Sequence, residues 1–188
     1  MVGISTAIWP QRAGFNVTVI DRVGPAGGAS YGNAGVLAAG SIIPITTPAL
    51  PKNALGMLLD KASPLFIRWP YLPKMIPFLA NYLSHCTNKH VEHYARSMTP
   101  LLSDTLAQHR ELASGTGAES FISEHPYAFG YHSLEAFEND SKWWDLRAQL
   151  GIRFDIVDGK EYGAIDPLFP DQFKKVVLCH DHGRIADP

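Results

Sequence analysis

Small and apolar residues run from Gly3 to Ala13 with Gly14 behind them, which predicts a short helix closed by a residue that tolerates a left-handed cap. The next run, Asn16-Val17-Thr18-Val19-Ile20, is mostly β-branched and predicts a buried parallel strand ending at Asp21-Arg22. Glycine then dominates Val23 to Gly35, the mark of a loop whose backbone must approach something closely. Val36 to Ile45 turns apolar again and reads as extended. From Thr46 to Pro77 proline recurs at 48, 51, 64, 70, 73 and 77, which limits helices to short pieces such as Lys52 to Asp60.

Met75 to Ser84 and Val91 to Ser114 read as longer helices. In the second, Leu101, Leu102, Thr105, Leu106, His109 and Leu112 keep a helical period and predict one buried stripe, stopped by Gly115-Thr116-Gly117. Tyr127 to His132 alternates like a strand. Leu134 to Leu150 follows as a helix carrying Trp143 and Trp144, with Gly151 after it. Ile152 to Val157 and Lys175 to Cys179 close the pattern as strands, and no internal repeat interrupts it.

The two ends change the picture. A helix begins at residue 3 with no strand before it, and residues 182–188 read as the lead-in to a further helix, with Asp187 as N-cap and Pro188 in the first turn. The expectation is a fragment of a longer protein.

Composition narrows the class. Of 188 residues, 46% are hydrophobic and only 18% charged, which excludes a disordered tail and supports a sizeable core. A formal charge of −2 excludes a broad phosphate-binding field, so nucleic acid is not expected as a partner. Cys86 and Cys179 lie far apart, which argues against a disulfide framework or a cysteine-built zinc site. No signal peptide is visible, and the apolar stretches, such as Ala54 to Leu59 and Met75 to Ala80, fall short of the roughly 18 residues of a bilayer span. A cytoplasmic protein is expected.

The candidate chemistry sits near the start. A dinucleotide-binding unit needs a strand, a G-x-G-x-x-G turn, a helix and a second strand ending in an acid. The glycines let pyrophosphate reach the helix N-terminus, where free N–H groups and the dipole favour anions, and the acid accepts hydrogen bonds from ribose. Gly3 stands where the third glycine would be, and Asp21 follows at close to the expected spacing of roughly 20 residues. The first strand and the first two glycines are missing, and Pro10 inside the first helix predicts a kink or a cost of about 3 kcal/mol.

Asp21-Arg22-Val23-Gly24-Pro25-Ala26-Gly27-Gly28-Ala29-Ser30-Tyr31-Gly32-Asn33-Ala34-Gly35 resembles the stretch after the second strand in FAD-dependent D-amino-acid dehydrogenases, members of the wider glycine and D-amino-acid oxidase family. Gly40-Ser41-Ile42-Ile43-Pro44, Pro64-Leu65-Phe66-Ile67-Arg68-Trp69 and Gly183-Arg184-Ile185-Ala186-Asp187-Pro188 are similar to that family too, so the resemblance covers nearly the whole chain. It implies an α/β fold in which a partial Rossmann-like FAD-binding domain (residues 1–45) is interrupted by an α+β, mixed-sheet substrate or cap domain (46–180). Residues 181–188 would return towards the FAD-binding domain.

The same resemblance implies that Asp21 binds ribose, Arg22 flanks the adenine and Ser30 reaches a phosphate. Asn33, Ala34 and Gly35 would line the flavin ring, where small residues let backbone N–H groups approach. The implied cofactor is FAD and the implied reaction is oxidative deamination of a D-amino acid. Hydride leaves Cα for the flavin, and the imino acid hydrolyses to a 2-oxo acid and ammonia. The electron acceptor would be a quinone or oxygen. Arg68, Tyr71 and Tyr127 have the side chains that such sites use for the substrate carboxylate, but by residue type a surface arginine and partly buried tyrosines are the preferred reading, and no catalytic residue is named. Two alternatives stay open: a glycine, sarcosine or hydroxyproline oxidase on the same scaffold, and a non-catalytic remnant of such an enzyme.

Other clusters read more plainly. Cys86, His90 and His93 fall at i, i+4 and i+7, but without a fourth ligand a polar helix face is the preferred reading and no metal site is expected. His180-Asp181-His182 reads as a solvated turn, and Trp69, Tyr71, Trp143 and Trp144 as packing between helices. The proline-rich region 55–83, with Lys52, Lys61, Arg68 and Lys74 interspersed, reads as a cap over the substrate pocket; the alternative is peripheral contact with the inner face of a membrane.

Overall fold

The computed structural model describes residues 2–59, 68–169 and 172–186. Pro64 to Ile67, Lys61, Asp187 and Pro188, all invoked above, lie outside the described residues. Seven helices and six strands appear among the described residues: α1 (Val2–Arg12), β1 (Val36–Leu37), α2 (Leu50–Leu59), α3 (Leu72–Ser84), α4 (Asn88–Leu102), α5 (Thr105–Ala113), β2 (Ile122–Glu124), β3 (Tyr127–Tyr131), α6 (Leu134–Gln149), β4 (Phe154–Asp158), α7 (Gly159–Ile165), β5 (Lys175–Cys179) and β6 (Gly183–Ile185). The strands form two small sheets in the orders β1-β6-β2 and β3-β5-β4.

β5 is the central strand of the second sheet. It pairs antiparallel with β3 (Tyr127 opposite Cys179) and with β4 (Phe154 opposite Cys179). Burial on both sides explains its unbroken Val176-Val177 run, both residues fully buried. α6 packs against β3. Ser133 caps it by accepting from the Ala136 amide at 3.1 Å, and Gly151 follows at φ +83°. Its Trp143, Trp144 and Leu146 join Val91 and Ala95 of α4, Ile42 and β5 in one core.

The first sheet ties distant segments together. β6 runs antiparallel to β1, with Val36 opposite Arg184, and to β2, with Ser123 opposite Arg184. Residues 183–185 of the segment expected to lead into a further helix are a strand, and the helix start at Asp187-Pro188 lies outside the described residues. Strand pairing across such separations leaves no local sequence signal.

Other expectations also change. Residues 16–20 form no strand, and Val17, Val19 and Ile20 are exposed, the last by 92%. A parallel strand is held by hydrogen-bonded neighbours, and none pairs with this segment among the described residues. All pairings in both sheets are antiparallel, where a mixed sheet was expected. The helix predicted over 91–114 is two helices, because Ser103 and Asp104 form a turn after Pro100. α1 runs through Pro10, buries none of its residues, and is tethered by Arg12. That guanidinium donates to the carbonyls of Glu111 and Leu112 (both 2.9 Å) at the end of α5.

Candidate functional site

The segment after Ile20 is folded by its own side chains. The Asp21 carboxylate accepts from the Val23 amide at 2.9 Å, a turn that the short Asp side chain makes locally. Gly24 follows at φ +87° and Ala26 at φ +61°, so the chain doubles back and Gly27 donates to the Gly24 carbonyl. At the far end, Asn33 bridges. Its Nδ2 donates to the Ser30 carbonyl at 2.8 Å, while its Oδ1 accepts from the Gly35 amide at 2.6 Å. Gly35, at φ +65°, is buried, and its carbonyl accepts from Ile185 of β6 at 2.7 Å. The loop is therefore anchored to the first sheet at its exit.

Between this loop and the first turn of α1 lies an open cleft of about 470 Å³, whose lining includes Gly3, Val19, Asp21, Gly24, Gly28 and Ser30. The structure brings three of the sequence-predicted residues, Gly3, Asp21 and Ser30, to this one hollow. Arg22, Asn33 and Ala34 are exposed and, like Gly35, are not part of its lining. The helix N-terminus supplies unpaired N–H groups and a positive dipole end, and Asp21 supplies a carboxylate acceptor.

The glycines themselves test whether a ligand fits. A Cβ added at Gly3, Gly24 or Gly28 would meet nothing within 4 Å, so packing does not require bare backbone there. At Gly40 the added Cβ would stand 2.7 Å from Cys179 Sγ, and at Gly183 2.5 Å from Leu106 Cδ1, so those positions are glycine for internal reasons. Gly24 is glycine for its φ of +87° and a Cβ on Gly27 would stand 2.6 Å from Val23, but at Gly3 and Gly28 bare backbone faces open space beside a helix N-terminus and a carboxylate. That donor set fits the ribose and phosphate portion of a dinucleotide such as FAD.

The remaining candidates are scattered. Arg68 and Tyr71 share one 3-10 turn, with Lys74 over the Tyr71 ring, and both are exposed. Tyr127 lies on β3, stacked against His182 at 5.7 Å. Cys86 precedes Thr87, the N-cap of α4, and its thiol donates to the Tyr82 carbonyl, so it shares no helix face with His90 and His93. Trp144 packs α6 onto the second sheet rather than between helices, against Phe129 of β3 and Phe154 of β4, and donates to the Tyr131 hydroxyl at 2.7 Å. Burial pushes that phenol up to about 12.

The reading of His180-Asp181-His182 as a solvated turn is wrong for His182. Asp181 takes φ +60° and pairs with Arg153, which holds its carboxyl below the usual range, while His180 meets Asp155 at 2.8 Å. The reversal turns His182 inward, to 1% exposure. Its Nδ1 lies 2.8 Å from the His180 carbonyl, and its Nε2 accepts from the Gly40 amide at 3.3 Å. Arg147 completes the arrangement, donating from Nε to the Gly40 carbonyl at 3.1 Å. Sequence reasoning missed both side chains. One signal was available: Arg147 stands four residues after Trp143 and three after Trp144, a charge on the aromatic face of a helix.

The sequence is similar to known flavoenzymes. The family profile described as FAD dependent oxidoreductase matches residues 1–188. A D-amino-acid oxidase of Bradyrhizobium diazoefficiens is 37% identical over 190 residues, covering 100% of this chain and 45% of the relative. A D-amino acid dehydrogenase of Rhizobium rhizogenes is 34% identical over 94% of this chain and 43% of its own length. D-amino acid dehydrogenase 1 of Mesorhizobium japonicum is 36% identical over 96% and 44%. The chain thus spans under half the length of these curated relatives. No solved structure matches. With a glycine-lined cleft at a helix N-terminus and a profile that spans all its residues, the chain belongs to the FAD dependent oxidoreductase family.

Proposed function

We propose that this chain forms the FAD-holding end, and part of the substrate side, of an enzyme that oxidises D-amino acids to 2-oxo acids and ammonia. The observation that carries the reading is the cleft where Gly3 and Gly28 leave backbone bare towards open space, with Asp21 at its side. When bound, FAD supplies the acceptor for the hydride on the substrate Cα. The protein's part is binding and orientation. Asp21 accepts from the adenosine ribose, Arg22 flanks the adenine, and Gly3 at the α1 N-terminus and Ser30 approach the pyrophosphate. Asn33, Ala34 and Gly35, held by the two Asn33 hydrogen bonds, carry the backbone that approaches the flavin ring.

In this reading residues 1–45 belong to a Rossmann-like cofactor domain, 46–180 to a substrate or cap domain, and 181–188 return towards the former. Arg68, Tyr71 and Tyr127 are carboxylate-binding candidates by residue type. The electron acceptor is a quinone or oxygen. Trp69, Tyr71, Ile76, Phe78 and Leu83 are exposed on the 3-10 turn and α3. They offer an apolar surface either to the substrate or to a membrane at which a quinone is reduced. No described helix is long and apolar enough to cross a membrane.

The test uses the full-length protein that carries this chain. Reconstituted with FAD and mixed anaerobically with a panel of D-amino acids, it should lose its visible flavin absorption. Bleaching by glycine or sarcosine alone would move the substrate class, and a protein that takes up no flavin would overturn the proposal.

A further inference from the structure

The peptide at Gly40 is gripped from both sides by ionisable side chains that the cofactor reading does not use. His182 accepts from its amide at 3.3 Å, and Arg147 donates to its carbonyl at 3.1 Å. All three residues are buried. The fit is tight, since a Cβ on Gly40 would stand 2.9 Å from the His182 ring. Five residues upstream, the Gly35 carbonyl is held by Ile185, and Val36 and Leu37 pair with Arg184 and Gly183. The whole exit of the glycine-rich loop, 35–40, therefore takes its position from the segment 182–185.

The partners of His182 determine its proton. A carbonyl only accepts, so Nδ1 carries the hydrogen towards His180, and the Gly40 amide only donates, so Nε2 must be bare. A second proton would set an N–H against the Gly40 N–H. Among the described residues, the groups around the ring are these: the His180 carbonyl at Nδ1 favours the added charge, and His125 donates its amide to the His182 carbonyl. Arg147 on α6 disfavours the added charge, Asp181 favours it but is engaged by Arg153, Tyr127 of β3 stacks on the ring, and Cys179 of β5 lies against Gly40. Desolvation is the largest influence, and it holds the imidazole below its usual range.

We propose that His182 is a positioning residue for the cofactor loop: its neutral ring holds the Gly40 amide, and through it sets the exit of the loop that carries Asn33, Ala34 and Gly35. This rests on the reading of that loop as the FAD loop. The consequence is an affinity for FAD that weakens on acidification.

H182Q separates positioning from packing, because a glutamine amide oxygen can accept where Nε2 does and does not titrate. FAD affinity of the full-length protein, followed by flavin fluorescence, should weaken about tenfold as pH falls below about 6.5 in the wild type. In H182Q it should stay flat, and H182L should be weak at every pH. Equal pH profiles for the wild type and H182Q would overturn the proposal. Hydrogen exchange at the Gly40 amide reads the same contact without flavin. Its protection factor should fall on acidification in the wild type and not in H182Q, and the same pH dependence in the two would also overturn it. A protein that binds no FAD but shows the exchange difference would sink the FAD reading and leave the His182–Gly40 contact standing.

Discussion

Arg147 reaches across 107 positions of sequence to donate its Nε hydrogen to the carbonyl of Gly40. The guanidinium is 4.3 Å above the Trp144 ring and 5.7 Å from the centre of Phe129, and burial pulls its pKa down. An arginine this enclosed is worth keeping only because carbonyls and aromatic faces satisfy it.

Removing it leaves the Gly40 carbonyl unpaired and a void beside two aromatic rings. R147A should lower stability by about 3 kcal/mol, measured as a shift in the urea midpoint. R147K should recover only part of this, because an ammonium lacks the planar face that stacks on Trp144.

The glycines should divide into two groups. G40A forces a Cβ to 2.7 Å from Cys179 Sγ and should cost about 1–3 kcal/mol. G28A should leave stability within about 0.5 kcal/mol, because its Cβ meets nothing. Yet it should weaken FAD binding about tenfold by filling the cleft. Thermal melts of the two variants, with and without FAD, check both halves.

Acid should destabilise the fold in two stages. His182 has a folded pKa below its unfolded one, so its contribution is complete above about 6.5 and is lost as pH falls below that. The Asp181 carboxyl, depressed by Arg153, contributes above its unfolded value of about 3.9 and is lost below it. Urea midpoints against pH should show the upper stage in the wild type and not in H182Q.

At the alkaline end, Tyr131 stays protonated to about 12. Its folded pKa lies above the unfolded one, so its contribution is present below about 10 and lost as pH rises through the folded value. Phenolate absorbance should show Tyr131 among the late-titrating tyrosines, with Tyr162 also raised by burial, and W144F, which removes the donor to the Tyr131 hydroxyl, should raise the Tyr131 pKa further.

Where pattern and packing agree, the sequence was readable. β5 falls at Lys175–Cys179 as read, because a strand buried on both faces needs an unbroken apolar run, and α6 falls within a residue of its expected end because Gly151 stops it. The segment 16–20 carries the same signal but pairs with nothing among the described residues, since composition specifies a strand without supplying its neighbours. β2 and β6, three residues each, are too short for any period to show. In the cleft, Gly3 and Asp21 followed from spacing and Ser30 from resemblance. His182 did not, because its burial depends on the left-handed turn at Asp181, and aspartate is only one of several residues that adopt it.

Binding of FAD in the cleft beside α1 through Asp21 carries every functional assignment made to this chain. The most direct measurement is a titration of FAD against the full-length protein and its D21A variant, followed by flavin fluorescence. Saturable one-to-one binding is predicted for the wild type, weakened tenfold to about a hundredfold in D21A, the cost of one hydrogen bond to a charged group. A wild type that binds no flavin, or a D21A variant that binds it equally well, would rule out FAD binding through Asp21.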